Sequence, residues 1–279
     1  MAIPELKNAL GLLSRMPVLW IPGIVCGLCT AVLWLVLNAS GDFFAGRLVI
    51  VSGLIVLFFV TGMLWCIRNE KGDIRTLVDG GVKYYFRVLL PLLVILFTIM
   101  LVFVLIIVTL TMAGVTPDPV LMALVSIVIM VPTLILSFFW DTAAVFEDRG
   151  VFHAIRRSID LVGARLQEVI AFLVICAGIT FGVLFSLMVL WEAALYDKLE
   201  PVSQYTEAQI QAFTPDQIIA LIGPDGMWIT ALVLFIACLI LVPVLVTYKA
   251  CFFKVLAQTG VPVQQVTGEF DSKGRWYKY

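Results

Sequence analysis

Residues 88–112, VLLPLLVILFTIMLVFVLIIVTLTM, run for 25 positions without an Asp, Glu, Lys, Arg or His. A helix of that length, rising about 1.5 Å per residue, crosses a hydrocarbon core of roughly 30 Å with some tilt. An open strand in lipid leaves its backbone groups unpaired, so helix is the expected state. Five further stretches share this character: 18–37, 48–67, 120–140, 169–191 and 227–248. The chain as a whole is 62% hydrophobic and 13% charged, with a mean hydropathy of +1.09. A soluble domain carries about 25% charged residues, so lipid is the main solvent here. The expected fold class is all-α, a polytopic bundle of six transmembrane helices in a single domain over residues 1–250, with a cytoplasmic C-terminal tail over 251–279.

The basic residues set the expected orientation. With a cytoplasmic N-terminus, sixteen Lys and Arg fall on that side, while Arg47 and Lys198 alone fall outside. The positive-inside rule then predicts a multi-pass protein of the plasma membrane with both termini in the cytoplasm. The tryptophans at positions 20, 34, 65, 140, 191 and 228 all fall near span ends, where an amphipathic ring prefers the headgroup level. A net charge of −1 offers no footprint for nucleic acid.

Each odd-numbered span follows a segment with helical periodicity. In the first, Ile3, Leu6, Leu10 and Leu13 share a face. In the third, Phe152, Ile155, Ile159, Val162 and Leu166 oppose Arg156, Arg157 and Asp160. The second, around Ile74, Val78, Val82 and Tyr85, is interrupted by Gly80 and Gly81. The chain therefore reads as three pseudo-repeats of interfacial amphipathic helix plus hairpin. Arg156 and Arg157 are candidate contacts for anionic lipid headgroups, each basic residue near a charged leaflet contributing about 1 kcal/mol.

The outer loop 192–226 is acidic, with Lys198 its single cation. Thr214-Pro215-Asp216-Gln217 matches a helix start with its capping partner, and Gly223-Pro224 is a stop. Thr206 and Gln209 offer a second start. Two short helices, with Ile210 and Phe213 on one and Ile218, Ile219 and Ile222 on the other, are expected to lie over the outer mouth as an ordered lid. Six cysteines lie in or beside apolar stretches and read as reduced packing residues. Pro22, Pro132 and Pro243 are candidate span breaks, with Thr61, Thr98, Thr133, Ser137, Thr180 and Ser186 as candidate polar lining.

After the fourth span, Asp141, Val145, Glu147, Asp148, Gly150, Ala154 and Ser158 spell D-x-x-x-V-x-E-D-x-G-x-x-x-A-x-x-x-S. In this wording and in its six-span plan the chain resembles an uncharacterised family of prokaryotic, archaeal-type membrane proteins. It is similar to the membrane domain fused to some glycerophosphodiester phosphodiesterases. The resemblance implies a fold and no activity, since no segment outside the spans has room for the catalytic domain of the fused relatives. Glu147, Asp148 and the lone His153 could offer acid and base groups, but a metal site wants more ligands and a hydrolase a nucleophile. No catalytic residue, cofactor or metal is therefore expected. The expected function is that of a non-enzymatic scaffold or subunit organising membrane lipid, anionic lipid included, or partner proteins, another membrane protein or a second copy among them. The alternative is a transporter, exporter or flippase of a small or lipid-like molecule.

Overall fold

The computed structural model describes residues 2–40, 42–116, 118–200, 205, 214–258, 268–270 and 276–278. The chain opens with α1 (Ala2–Arg15), a 3-10 turn (Pro17–Trp20), α2 (Ile21–Ser40) and α3 (Asp42–Asn69). It continues through α4 (Ile74–Met112), α5 (Pro119–Leu136), α6 (Trp140–Phe146), α7 (Val151–Ala164), α8 (Leu166–Ala194) and α9 (Tyr196–Leu199). The last helix is α10 (Pro215–Gln258), followed by a short antiparallel pair, β1 (Gly268–Phe270) and β2 (Trp276–Lys278). Among the described residues six helices are long and apolar enough to cross a membrane, so the protein is an all-α, multi-span membrane protein.

The spans succeed one another by packing in the order α5, α4, α3, α2, α10 and α8. Close approach is built from glycine. A Cβ on Gly23 of α2 would sit 2.7 Å from the Leu239 carbonyl and 2.8 Å from Pro243 of α10. One on Gly62 of α3 would collide with the Leu77 carbonyl of α4. Such small residues let backbones meet where lipid supplies no hydrophobic drive between helices.

The packed core is concentrated at the face that holds α1 and the α3–α4 turn, called here the N-terminal face. Leu13, Leu19, Met63, Leu64, Ile67, Leu77, Tyr84, Phe139, Val162 and Phe172 are buried there with Tyr248, Phe252, Phe253 and Leu256. Its centre is aromatic: Phe172 lies 4.5 Å from Phe252 and 4.6 Å from Tyr248, and Phe138 lies 5.8 Å from Phe172. Towards the opposite face the third, fourth and fifth spans turn most of their side chains outward to lipid.

Three elements differ from the sequence expectation. The second amphipathic segment is not a separate interfacial helix, because α4 runs unbroken from Ile74 into its span. Gly80 and Gly81 do not interrupt it, since Trp65 and Phe58 of α3 occupy the space where their side chains would stand. The domain does not end at 250: α10 carries on to Gln258, and its last two turns supply Phe252, Phe253 and Leu256 to the core. The prolines do not break the spans. Pro22 falls in the first turn of α2, where no donor is missed, and Pro132 and Pro243 lie inside continuous helices, as does Pro91.

At the face opposite the N-terminal one, Thr214 and Gln217 form the reciprocal cap. Gln217 N–H donates to Thr214 Oγ1 (3.4 Å) and Thr214 N–H donates to Gln217 Oε1 (3.0 Å). Gly223 turns the chain at φ +64°, and the helix resumes at once. Lys198 of α9 spans this break, donating to the Ile222 carbonyl (2.8 Å) and to Asp225 (3.3 Å), while Ile222 and Leu195 are buried. The second start at Thr206 and Gln209, and Ile210 and Phe213, lie outside the described residues, as does the side chain of Ile218. In the tail, 259–267, 271–275 and 279 lie outside them too.

Candidate functional site

The motif residues meet at the N-terminal face, where α6 and α7 cross beneath α3, α4 and α10. Asp141, in the first turn of α6, is buried and pairs with Lys249 of α10 at 2.7 Å. The same ammonium lies 4.4 Å from the centre of the Phe138 ring. Val145 is fully buried, and its carbonyl accepts from Arg68 of α3 at 2.6 Å. Glu147 ends α6 and accepts from Arg157 Nε (2.9 Å) and Arg149 Nε (3.0 Å). Asp148 adopts a left-handed conformation with φ +57°, which short polar side chains tolerate, and pairs with Arg87 of α4. Gly150 leads into α7, and Ala154 faces inward without exposure. Ser158 accepts from the Phe139 N–H (2.9 Å) and donates to the Leu136 carbonyl (2.8 Å).

That last pair satisfies the backbone where α5 ends and α6 begins, which explains why a buried hydroxyl stands there. Asp141, Val145, Glu147 and Asp148 thus join α6 to α10, α6 to α3, α6 to α7, and the α6–α7 turn to α4. The buried Asp141 carboxylate and Arg157 guanidinium are tolerated because each has its counter-charge and hydrogen bonds.

The two arginines singled out as headgroup contacts separate. Arg157 lies on the inward face of α7 with Ala154, Ser158 and Leu161, 9% exposed and held by Glu147. This corrects the expected helical wheel: the buried face of α7 is the one that carries Ser158, and Phe152 and Ile159 are exposed. Arg156 remains on the outer surface, 3.9 Å from Asp160. His153 is exposed.

The expected polar lining behaves differently from a pathway. Thr61, Thr98, Thr133, Ser137, Thr180 and Ser186 each donate to the carbonyl four residues earlier in their own helix. The described cysteines are all free thiols, and among the described residues no group of three His, Cys, Asp or Glu is placed to hold a metal ion.

Sequence reasoning passed over the partners of the motif, Arg68, Arg87 and Lys249, and with them Lys254. They entered it only through the charge bias. Lys254 donates to the Ile67 carbonyl at 3.1 Å and lies 3.5 Å from Glu70. The available signal was position, because Arg68 and Lys249 each directly follow a span and so stand level with Asp141, which directly follows another. Around Arg68 the structure also gathers Trp65, Tyr84 and Lys83. The Trp65 and Tyr84 rings lie 4.9 Å apart, and Lys83 Nζ is 4.7 Å from the first and 5.1 Å from the second.

The family model described as Domain of unknown function (DUF7847) matches residues 1–256. No curated protein and no solved structure matches the chain.

Proposed function

Since the chain belongs to this family of unknown function over residues 1–256, we propose from its own geometry that it is a non-enzymatic membrane protein that organises lipid or partner proteins. The observation that carries this reading is the use made of the polar side chains. Asp141, Glu147, Asp148 and Ser158 are engaged in bonds that hold helices together. A proton relay or coupled transporter places ionisable groups within the bilayer, where they stay available to an ion or substrate. The six span hydroxyls are instead satisfied by their own helices. The arrangement is that of a rigid basal plate with long apolar helices standing on it, suited to holding a lipid or neighbouring protein. In this reading the plate and both termini lie in the cytoplasm, at the plasma membrane, with anionic lipid, another membrane protein or a second copy of the chain as partners.

A second reading, export or flipping of a lipid-like molecule, is favoured by one feature. The terminal members of the packing order, α5 and α8, are drawn together at the N-terminal face through Phe138, which follows α5, and Phe172 of α8, while the sides of both helices turned away from α4 and α10 face lipid. Reconstitution distinguishes the two. In vesicles carrying a fluorescent lipid in both leaflets, an organising protein leaves half of the label protected from an external quencher. Accelerated loss of the protected half would replace the first reading with the second.

A further inference from the structure

We propose that Arg68, Lys83 and Arg87, gathered around the Trp65–Tyr84 ring pair, form a binding site for a phosphate oxyanion, the headgroup of an anionic lipid. The inference rests on the lipid-organising reading and gives it a place and a chemistry. Three cations converge on two rings: the Arg68 guanidinium is 5.1 Å from Trp65, Lys83 Nζ is 4.7 Å from the same ring, and Arg87 is 5.6 Å from Tyr84. Gly80 makes this possible, because a side chain there would overlap the Trp65 indole that lies across α4. Arg68 also donates to the Tyr84 hydroxyl at 3.1 Å, so the hydroxyl's own proton is free to point elsewhere.

The charges do not balance within the cluster. Arg87 is answered by Asp148, but among the described residues neither Arg68 nor Lys83 makes an ion pair. None of the acids of the α3–α4 hairpin pairs with either cation among the described residues: Glu70 lies against Lys254, Asp79, one turn before Lys83, lies 4.0 Å from Arg75, and Asp73 makes no ion pair. Arg68 is half-buried, and a guanidinium with only neutral partners there favours an incoming anion. Ring faces steady an ammonium that has no carboxylate, and they do so without neutralising it. Trp65 and Tyr84 lie at the inner end of the α3–α4 hairpin, the level at which headgroup phosphates lie. A phosphodiester oxyanion has the charge and the acceptors for two such cations, and its acyl chains continue along the exposed apolar side of α4, past Phe86 and Leu90.

The test uses the full chain in detergent, with phosphatidylglycerol, phosphatidylcholine and inorganic phosphate as probes and native mass spectrometry as the readout. The unmodified protein should retain phosphatidylglycerol in preference to phosphatidylcholine. Lys83→Gln, which removes no hydrogen bond or ion pair between helices, should lower that occupancy about fivefold. Lys7→Gln, a change of an exposed cation on α1 at the same face, should leave it unaltered. Displacement of the lipid by excess inorganic phosphate would identify the oxyanion alone as the ligand, and resistance to displacement would identify the lipid. Unchanged occupancy in Lys83→Gln, or an equal loss in Lys7→Gln, would overturn the site. No preference for phosphatidylglycerol in the unmodified protein would overturn the lipid-organising reading with it.

Discussion

Asp141 and Lys249 illustrate how one side chain commits another. With both partners largely withdrawn from water, removing the ammonium alone leaves a buried carboxylate unanswered. Lys249→Met should therefore lower stability by about 3 kcal/mol, read as a fall in the detergent-solubilised unfolding temperature, and adding Asp141→Asn should recover most of the loss. A double variant as unstable as the single one would show that the pair is not coupled. Ser158→Ala strands the Phe139 N–H and the Leu136 carbonyl, and should cost about 2 kcal/mol in the same assay. Asp141, Glu147 and Ser158 were legible as a group from their spacing, yet their purpose was not. Their partners Lys249 and Arg157 lie 108 and 10 residues away, and such pairings follow from how helices cross, which periodicity does not encode. Arg157 shows the same limit. On a wheel its charge assigns it to water, whereas Glu147 makes burial the cheaper choice.

The helices themselves were far more legible than their joints. A run of 20 or more apolar residues has one economical conformation in lipid, so the six spans follow from length and hydropathy alone. The terminal turns follow less readily. Residues 251–258 read as tail because Lys249 and Lys254 interrupt the apolar run, but both ammonium groups are drawn to inward acceptors and the helix continues between them. The cap at Thr214 was readable because it needs only local chemistry. Thr214→Ala should cost about 1 kcal/mol at the start of α10 and raise protease cleavage between Pro215 and Ile222. Cleavage of the unmodified protein there at the same rate would mean that the cap does not order this segment. Between α3 and α4, Gly62→Val should force the helices apart at Leu77 and lower the unfolding temperature, whereas Gly53→Val, which meets open space, should not.

For the molecule as a whole, the asymmetry of charge makes a prediction that the fold does not. A reporter active only in the cytoplasm should be active when fused after Tyr279 and when inserted at Lys71, and inactivity at either position would reverse or break the proposed orientation. The same asymmetry recurs in packing, with the core gathered at the N-terminal face. Tyr248 donates to the Ala2 carbonyl at 3.0 Å, joining residues that are 246 positions apart. Synthesis makes Ala2 before Tyr248, so α1 has no seat until the sixth span has left the ribosome. Five spans can enter the bilayer by hydropathy alone and still lack the aromatic block that locks them. Until then the nascent chain is inserted but unfastened, with Leu13 and Leu19 awaiting cover. A chain cut short before the sixth span would reach the membrane and remain open to its proteases.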